Sequence, residues 1–162
     1  MNSESTHLVS GQLGHVLREA FSGPPGPWTY FTDNRRGVGL LSTLQSITAE
    51  EASIPSGPSG ATIAGHVSHV QSSLAASIGL IKKESDARDR TGTWTVTQVS
   101  GPEWKALLKQ LQERYEKALQ TIQTRADWDE DSFGAALGAI THVAYHLGTV
   151  RQRLLMAGIL RT

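Results

Sequence analysis

The chain contains no cysteine. That absence removes a disulfide framework, a thiolate zinc site and a cysteine nucleophile belonging to the protein itself. Any metal has to be held by His, Asp or Glu. An excess of charge is missing too: 15 basic residues balance 15 acidic ones. The surplus of cations that holds proteins on phosphate backbones or anionic lipid is therefore absent, and neither nucleic acid nor a membrane is an expected partner. Nowhere does the chain carry the roughly 18 uninterrupted apolar residues of a membrane span. Its start, Met1 to His7, has no basic stretch followed by an apolar run. These observations predict a soluble, cytoplasmic protein.

What is present suits one helical domain covering residues 1–162, long enough to bury about two thirds of its unfolded surface without cross-links. Leu8, Leu13, Val16, Leu17, Ala20 and Phe21 recur at helical separations and predict a first helix from Ser5 to Phe21, stopped by the Gly/Pro-rich stretch after Ser22. The aromatic segment Trp28 to Asp33 reads as an ordered loop. Leu40, Leu44 and Ile47 predict a short helix within Gly39 to Ile47, ahead of the Pro/Gly/Ser-rich break from Ile54 to Gly60.

Ile63, Val67, Val70, Leu74, Ile78 and Ile81 form the most regular apolar stripe, predicting a second long helix that runs to Lys82. Thr91 to Val99, rich in threonine and valine, reads as an extended connection. Ser100, Gly101, Pro102 and Glu103 form a capping box with an early proline, so a third long helix opens there and ends near Arg125. The acidic residues of Asp127 to Ser132 suit the start of a fourth, whose apolar pattern runs from Phe133 to Met156 with Gly158 as its stop. The expected architecture is all-α: an antiparallel four-helix bundle whose long crossover connection is the linker before the second long helix.

The strongest chemical signal is His142 and His146, four residues apart and so on one face of a helix. Imidazole is the commonest side-chain ligand for zinc, nickel and related ions, and such a pair leaves room for a third ligand from another helix. The apolar stripe of the fourth helix is Ile140, Val143, Leu147, Val150 and Leu154. Ala135, Ala139, His142, His146, Thr149 and Arg153 lie on a different face, roughly 90° away. A small and polar face suits a cleft. On the second long helix, His66 sits near the edge of the apolar stripe and His69 further round, on a line with Ser73, Ala76 and Leu80. Periodicity favours His66 as the inward histidine, and a site off the main core favours His69. His7 and His15 read as surface or structural residues.

The motif Thr62-Ile-Ala-Gly-His-Val-Ser-His69, followed much later by His142-Val-Ala-Tyr-His146-Leu-Gly, resembles the DinB/YfiT-like superfamily of metalloenzymes. These four-helix bundles carry one ligand histidine in the second helix and a His-x3-His pair in the last; the family is distinct from the DNA polymerase that shares the DinB name. Gly39 to Leu44, Ala49 to Ser53, Trp94 and Trp104 also resemble its connecting segments, so the likeness covers most of the chain. It implies His69, His142 and His146 as a histidine triad for a divalent metal, zinc or nickel, with His66 at a position where the family is variable.

Three neutral imidazoles leave a coordination position open to water or substrate, the pattern of a catalytic site. A metal there lowers the pKa of a water or converts a thiol to thiolate. The resemblance implies a metal-dependent enzyme, a thiol-dependent S-transferase or a hydrolase, acting on a small-molecule substrate with a low-molecular-weight thiol. The alternative is a non-catalytic dimeric binding or stress-response module that keeps the fold. A homodimer is expected in either case. Asp33, Glu84, Asp86 and Tyr145 are candidate partners for the histidine rings, though each reads more readily as solvated or structural. Arg151 and Arg153 could meet an anionic substrate or complement the helix dipole.

Overall fold

A computed structural model describes residues 3–57, 60–84 and 94–160. Among them the regular structure is helical: α1 (Ser3–Ser22), α2 (Leu40–Gln45), α3 (Ala49–Ala52), α4 (Ile63–Lys82), α5 (Gly101–Thr124) and α6 (Glu130–Met156). All six helices feed one apolar core, from Leu17 and Phe21 through Leu44, Ala52, Val67 and Leu111 to Leu147 and Leu154. None is long and apolar enough to cross a membrane.

The helix ends follow from local chemistry. Thr62 caps α4, its Oγ1 accepting the Gly65 amide at 3.0 Å, and Lys83 ends it in the left-handed conformation at φ 60°. The capping box expected at Ser100 and Glu103 forms, with Glu103 also accepting the Ser100 amide at 2.7 Å. Asp129 caps α6 together with Ser132 and pairs with Lys83 at 2.5 Å. Gly158, at φ 70°, closes the helix as anticipated. The short α3, capped by Thr48 and Glu51, was not foreseen within the linker.

The four long helices form a ring in which α4 packs on α5 and α6, and α1 packs on the same two from the other side. Their directions differ from the expectation of an antiparallel bundle. Thr6 bonds Ala126, Ser10 bonds Arg125 and Ser22 bonds Tyr115, so α1 and α5 run oppositely. Contacts of Ala61 with Arg153 and of Lys83 with Asp129 set α4 and α6 antiparallel as well. But Gln71 bonds the Leu107 carbonyl and Ile81 receives the Arg125 guanidinium, which makes α4 and α5 parallel neighbours.

Parallel neighbours that follow one another in sequence require the chain to return along the bundle. The long crossover therefore falls between α4 and α5, where residues 85–93 lie outside those described, and not before α4. The linker after α1 instead stays at one end, where Trp104 donates to the Ile47 carbonyl and Ser53 bonds Val99. Hydropathy along a helix is the same read in either direction, which is why spacing alone misplaced the crossover. Val96 and its neighbours from Thr95 to Ser100 are non-helical, as expected for this connection, while 91–93 lie outside the described residues.

The aromatic loop is ordered by a buried carboxylate. Glu19, fully buried on α1, accepts the amides of Tyr30, Phe31 and Thr32 and the Thr32 hydroxyl at 2.8–3.0 Å. Burial pushes its pKa up, but these bonds favour the charged form more strongly and hold it below the usual value. A carboxyl with a lowered folded pKa stabilises above its unfolded pKa of about 4.3 and loses that contribution as pH falls through the folded one. Glu19→Gln should accordingly cost about 2–3 kcal/mol at pH 7 and distinctly less at pH 3. Denaturant unfolding of both proteins at the two pH values checks this, and an equal gap at both would contradict it.

Candidate metal centre

The seam between α4 and α6 brings four histidines together, two from each helix. His69 Nε2 lies 3.0 Å from His142 Nε2, and His146 Nε2 lies 2.8 Å from the same atom. The ligating nitrogens of His69, His142 and His146 all fall within 4.8 Å of one another. The apolar stripe Ile140, Val143, Leu147, Val150 and Leu154 is buried in the core, and His142 and His146, off that stripe, face the histidines of α4. His69 and His142 are half-buried, and His146 is buried.

Both candidates from the second long helix reach the seam at different depths. His69 joins the nitrogen cluster, whereas His66, also buried, places Nδ1 2.8 Å from Nδ1 of His146. On the other side, Ser73 Oγ is 2.6 Å from His142 Nδ1. A hydroxyl oxygen accepting from Nδ1–H keeps the Nε2 lone pair of His142 aimed at the common point. The wall is Trp94, stacked on His69 with centroids 4.4 Å apart and standing edge-on to His66 at 4.9 Å. Gly65 lets this extended segment approach, because a Cβ there would lie 2.8 Å from the Val96 carbonyl oxygen.

The electrostatics favour neutral rings. Burial lowers the pKa of His66 to about 4, assisted by Arg153 and His69. Burial likewise lowers His146 to about 3, with His142, His66, His69 and Arg153 adding to the effect. Neutral imidazole is the form that ligates metals. The donor set fits such an ion: three imidazoles suit zinc, nickel and their neighbours. Tetrahedral bonds of about 2.0–2.1 Å separate ligand nitrogens by about 3.3 Å, a few tenths of an ångström beyond the 3.0 and 2.8 Å that separate His142 from His69 and His146. Small side-chain shifts close that difference.

The other candidates are elsewhere. Asp33 pairs with Arg35 in the exposed loop at 3.2 Å, and Glu84 pairs with Lys82 at the far end of α4. Asp86 lies outside the described residues. The Tyr145 ring touches His146 edge-on at 5.1 Å but is exposed. Arg151 reaches Thr43 at 3.4 Å, and Arg153 donates to the Ala61 carbonyl at 2.9 Å, anchoring the approach to α4 while its charge acts on the histidines. His7 is exposed. His15 packs edge-on against Tyr30, in a structural role. Sequence reasoning did not single out Ser73 as a ring partner or Trp94 as the wall; the position of Ser73 four residues after His69 was the available signal.

No protein-family model matches the chain, and neither a curated protein nor a solved structure matches it.

Because their folded pKa values are depressed, His66 and His146 remain neutral while the unfolded chain takes up protons below about pH 6.5. Stability of the chelator-treated protein should then fall as pH drops from about 6.5 towards 4, by at most about 1.4 kcal/mol per pH unit for each ring. Replacing His66 by Gln should make that slope shallower. Urea titrations across this range measure it, and parallel slopes for the two proteins would contradict the assignment.

Proposed function

We propose that the chain is a metal-dependent enzyme of the thiol-transferase or hydrolase type, built on a DinB/YfiT-like bundle, with His69, His142 and His146 holding one zinc or nickel ion. The observation that carries the reading is the convergence of three Nε2 atoms at one edge of a helical seam, with nitrogens at 2.8 and 3.0 Å. Two of the rings are oriented from behind, His142 by Ser73 and His146 by His66. That is the arrangement expected of ligands rather than of isolated core histidines.

The bound ion would supply Lewis acidity, lowering the pKa of a water or a substrate thiol. The chain's own part is to keep His146 neutral through burial, to orient His142 and His146 from behind, and to screen one side with Trp94. Half-burial of His69 and His142 leaves the opposite side accessible to a small molecule, with a low-molecular-weight thiol as the favoured co-substrate. Cytoplasmic residence belongs to the same reading. So does a homodimer, supported by the exposed apolar residues Phe133, Leu137, Tyr145 and Met156 on α6. The same residues favour the alternative, a non-catalytic dimeric binding module, and the two differ in whether a coordination position stays open.

Untagged protein reloaded with Zn²⁺ or Ni²⁺ and analysed for bound metal should retain one ion per chain. His142→Ala and His146→Ala should each weaken binding by about 100-fold or more, since each removes a direct ligand. Absence of bound ion, or unchanged affinity in both variants, would overturn the proposal.

A further inference from the structure

We propose that His66 is a positioning residue for the metal centre, accepting the Nδ1–H of His146 on its own Nδ1 so that His146 presents a bare Nε2 to the ion. The inference rests on the three-histidine reading and adds to it a fourth histidine that touches no metal. Its basis is geometric. The two Nδ1 atoms are 2.8 Å apart in a buried setting, and a hydrogen bond that short requires one of them to be protonated and the other not. Trp94 at 84° to the His66 ring and α6 on the other side leave the ring little freedom.

The direction of that bond depends on what the Nε2 atoms are doing. Assigning Ser73 as the acceptor of His142 Nδ1–H makes His142 Nε2 an acceptor, and His146 Nε2 at 2.8 Å then donates to it. Neutral His146 then has a bare Nδ1, and His66 must be the Nδ1–H donor. Metal ligation through His146 Nε2 reverses this. The proton of His146 moves to Nδ1, and that of His66 moves from Nδ1 to Nε2, with no net proton gained or lost by the pair. His66 Nε2, buried and without a hydrogen-bond partner among the described residues, is the position that receives it. His66 thus reports and supports occupancy of a centre it does not ligate.

Two measurements with Zn²⁺ alone test this. In ¹⁵N-histidine-labelled wild-type protein, zinc should convert His66 from the Nδ1–H to the Nε2–H tautomer, visible in its ring nitrogen shifts. By zinc titration, His66→Phe, which fills the space without an acceptor, should bind about 10- to 100-fold more weakly. His66→Asn, whose side-chain oxygen falls near the Nδ1 position, should regain most of that affinity. Retention of Nδ1–H on His66 in the zinc form would overturn the proposal, as would His66→Phe affinity within twofold of wild type. If wild-type protein binds no zinc, the three-histidine reading falls with it; if wild type binds and His66→Phe binds equally well, only the role of His66 falls.

Discussion

Burying four imidazoles between two helices is costly, and the seam between α4 and α6 offsets that cost by pairing their nitrogens with one another and with Ser73, His66 Nε2 being the exception. The bonds from His66 to His146, His146 to His142, His142 to His69 and Ser73 to His142 form one connected chain. Partially satisfied, such a network would destabilise the bundle; connected, it fixes the register of α4 against α6. Hence the rings that look like ligands are also what aligns the helices carrying them. The surrounding apolar stripe from Val67 to Ile81 and from Ile140 to Leu154 supplies the burial that lowers the pKa of His66 and His146.

The path of the chain serves the same place. Because α4 and α5 are parallel, the connection between them returns to the end where the histidines lie, and it lays Trp94 on His69 and Val96 against Gly65. An ordinary antiparallel turn would leave that side of the seam open. The linker after α1, with α2 and α3, caps the same end through Trp104 and Ile47. Glu19 fixes a further loop by collecting amides that would otherwise need water. These elements cover one side of the histidines and leave His69 and His142 half-buried.

Much of this was legible in the residues. The stripes of α4 and α6, the capping box at Ser100 and the stop at Gly158 are local patterns, and local patterns survive into the fold. The displacement of His142 and His146 from their apolar stripe already separated them from the core, and they meet the histidines of α4. What could not be read was relational: helix direction, the path of the crossover, and which polar group lies behind which ring. Both His66 and His69 reach the seam, so the choice between them was a question of depth along a helix rather than of inside or outside. Asp33 and Glu84 had suitable chemistry but are carried away by the loop and the far end of α4. Glu19 was detectable only as a charge lodged between Leu17 and Phe21.

The proposed centre requires three imidazoles from two helices to present one ligand set with an open position. X-ray absorption at the zinc edge of the reloaded protein measures this directly. Three nitrogen ligands at about 2.0–2.1 Å with imidazole scattering, plus one light atom exchangeable by added thiol for a sulfur at about 2.3 Å, is the expected result. Fewer than three imidazoles, or four protein ligands that added thiol does not disturb, would contradict it.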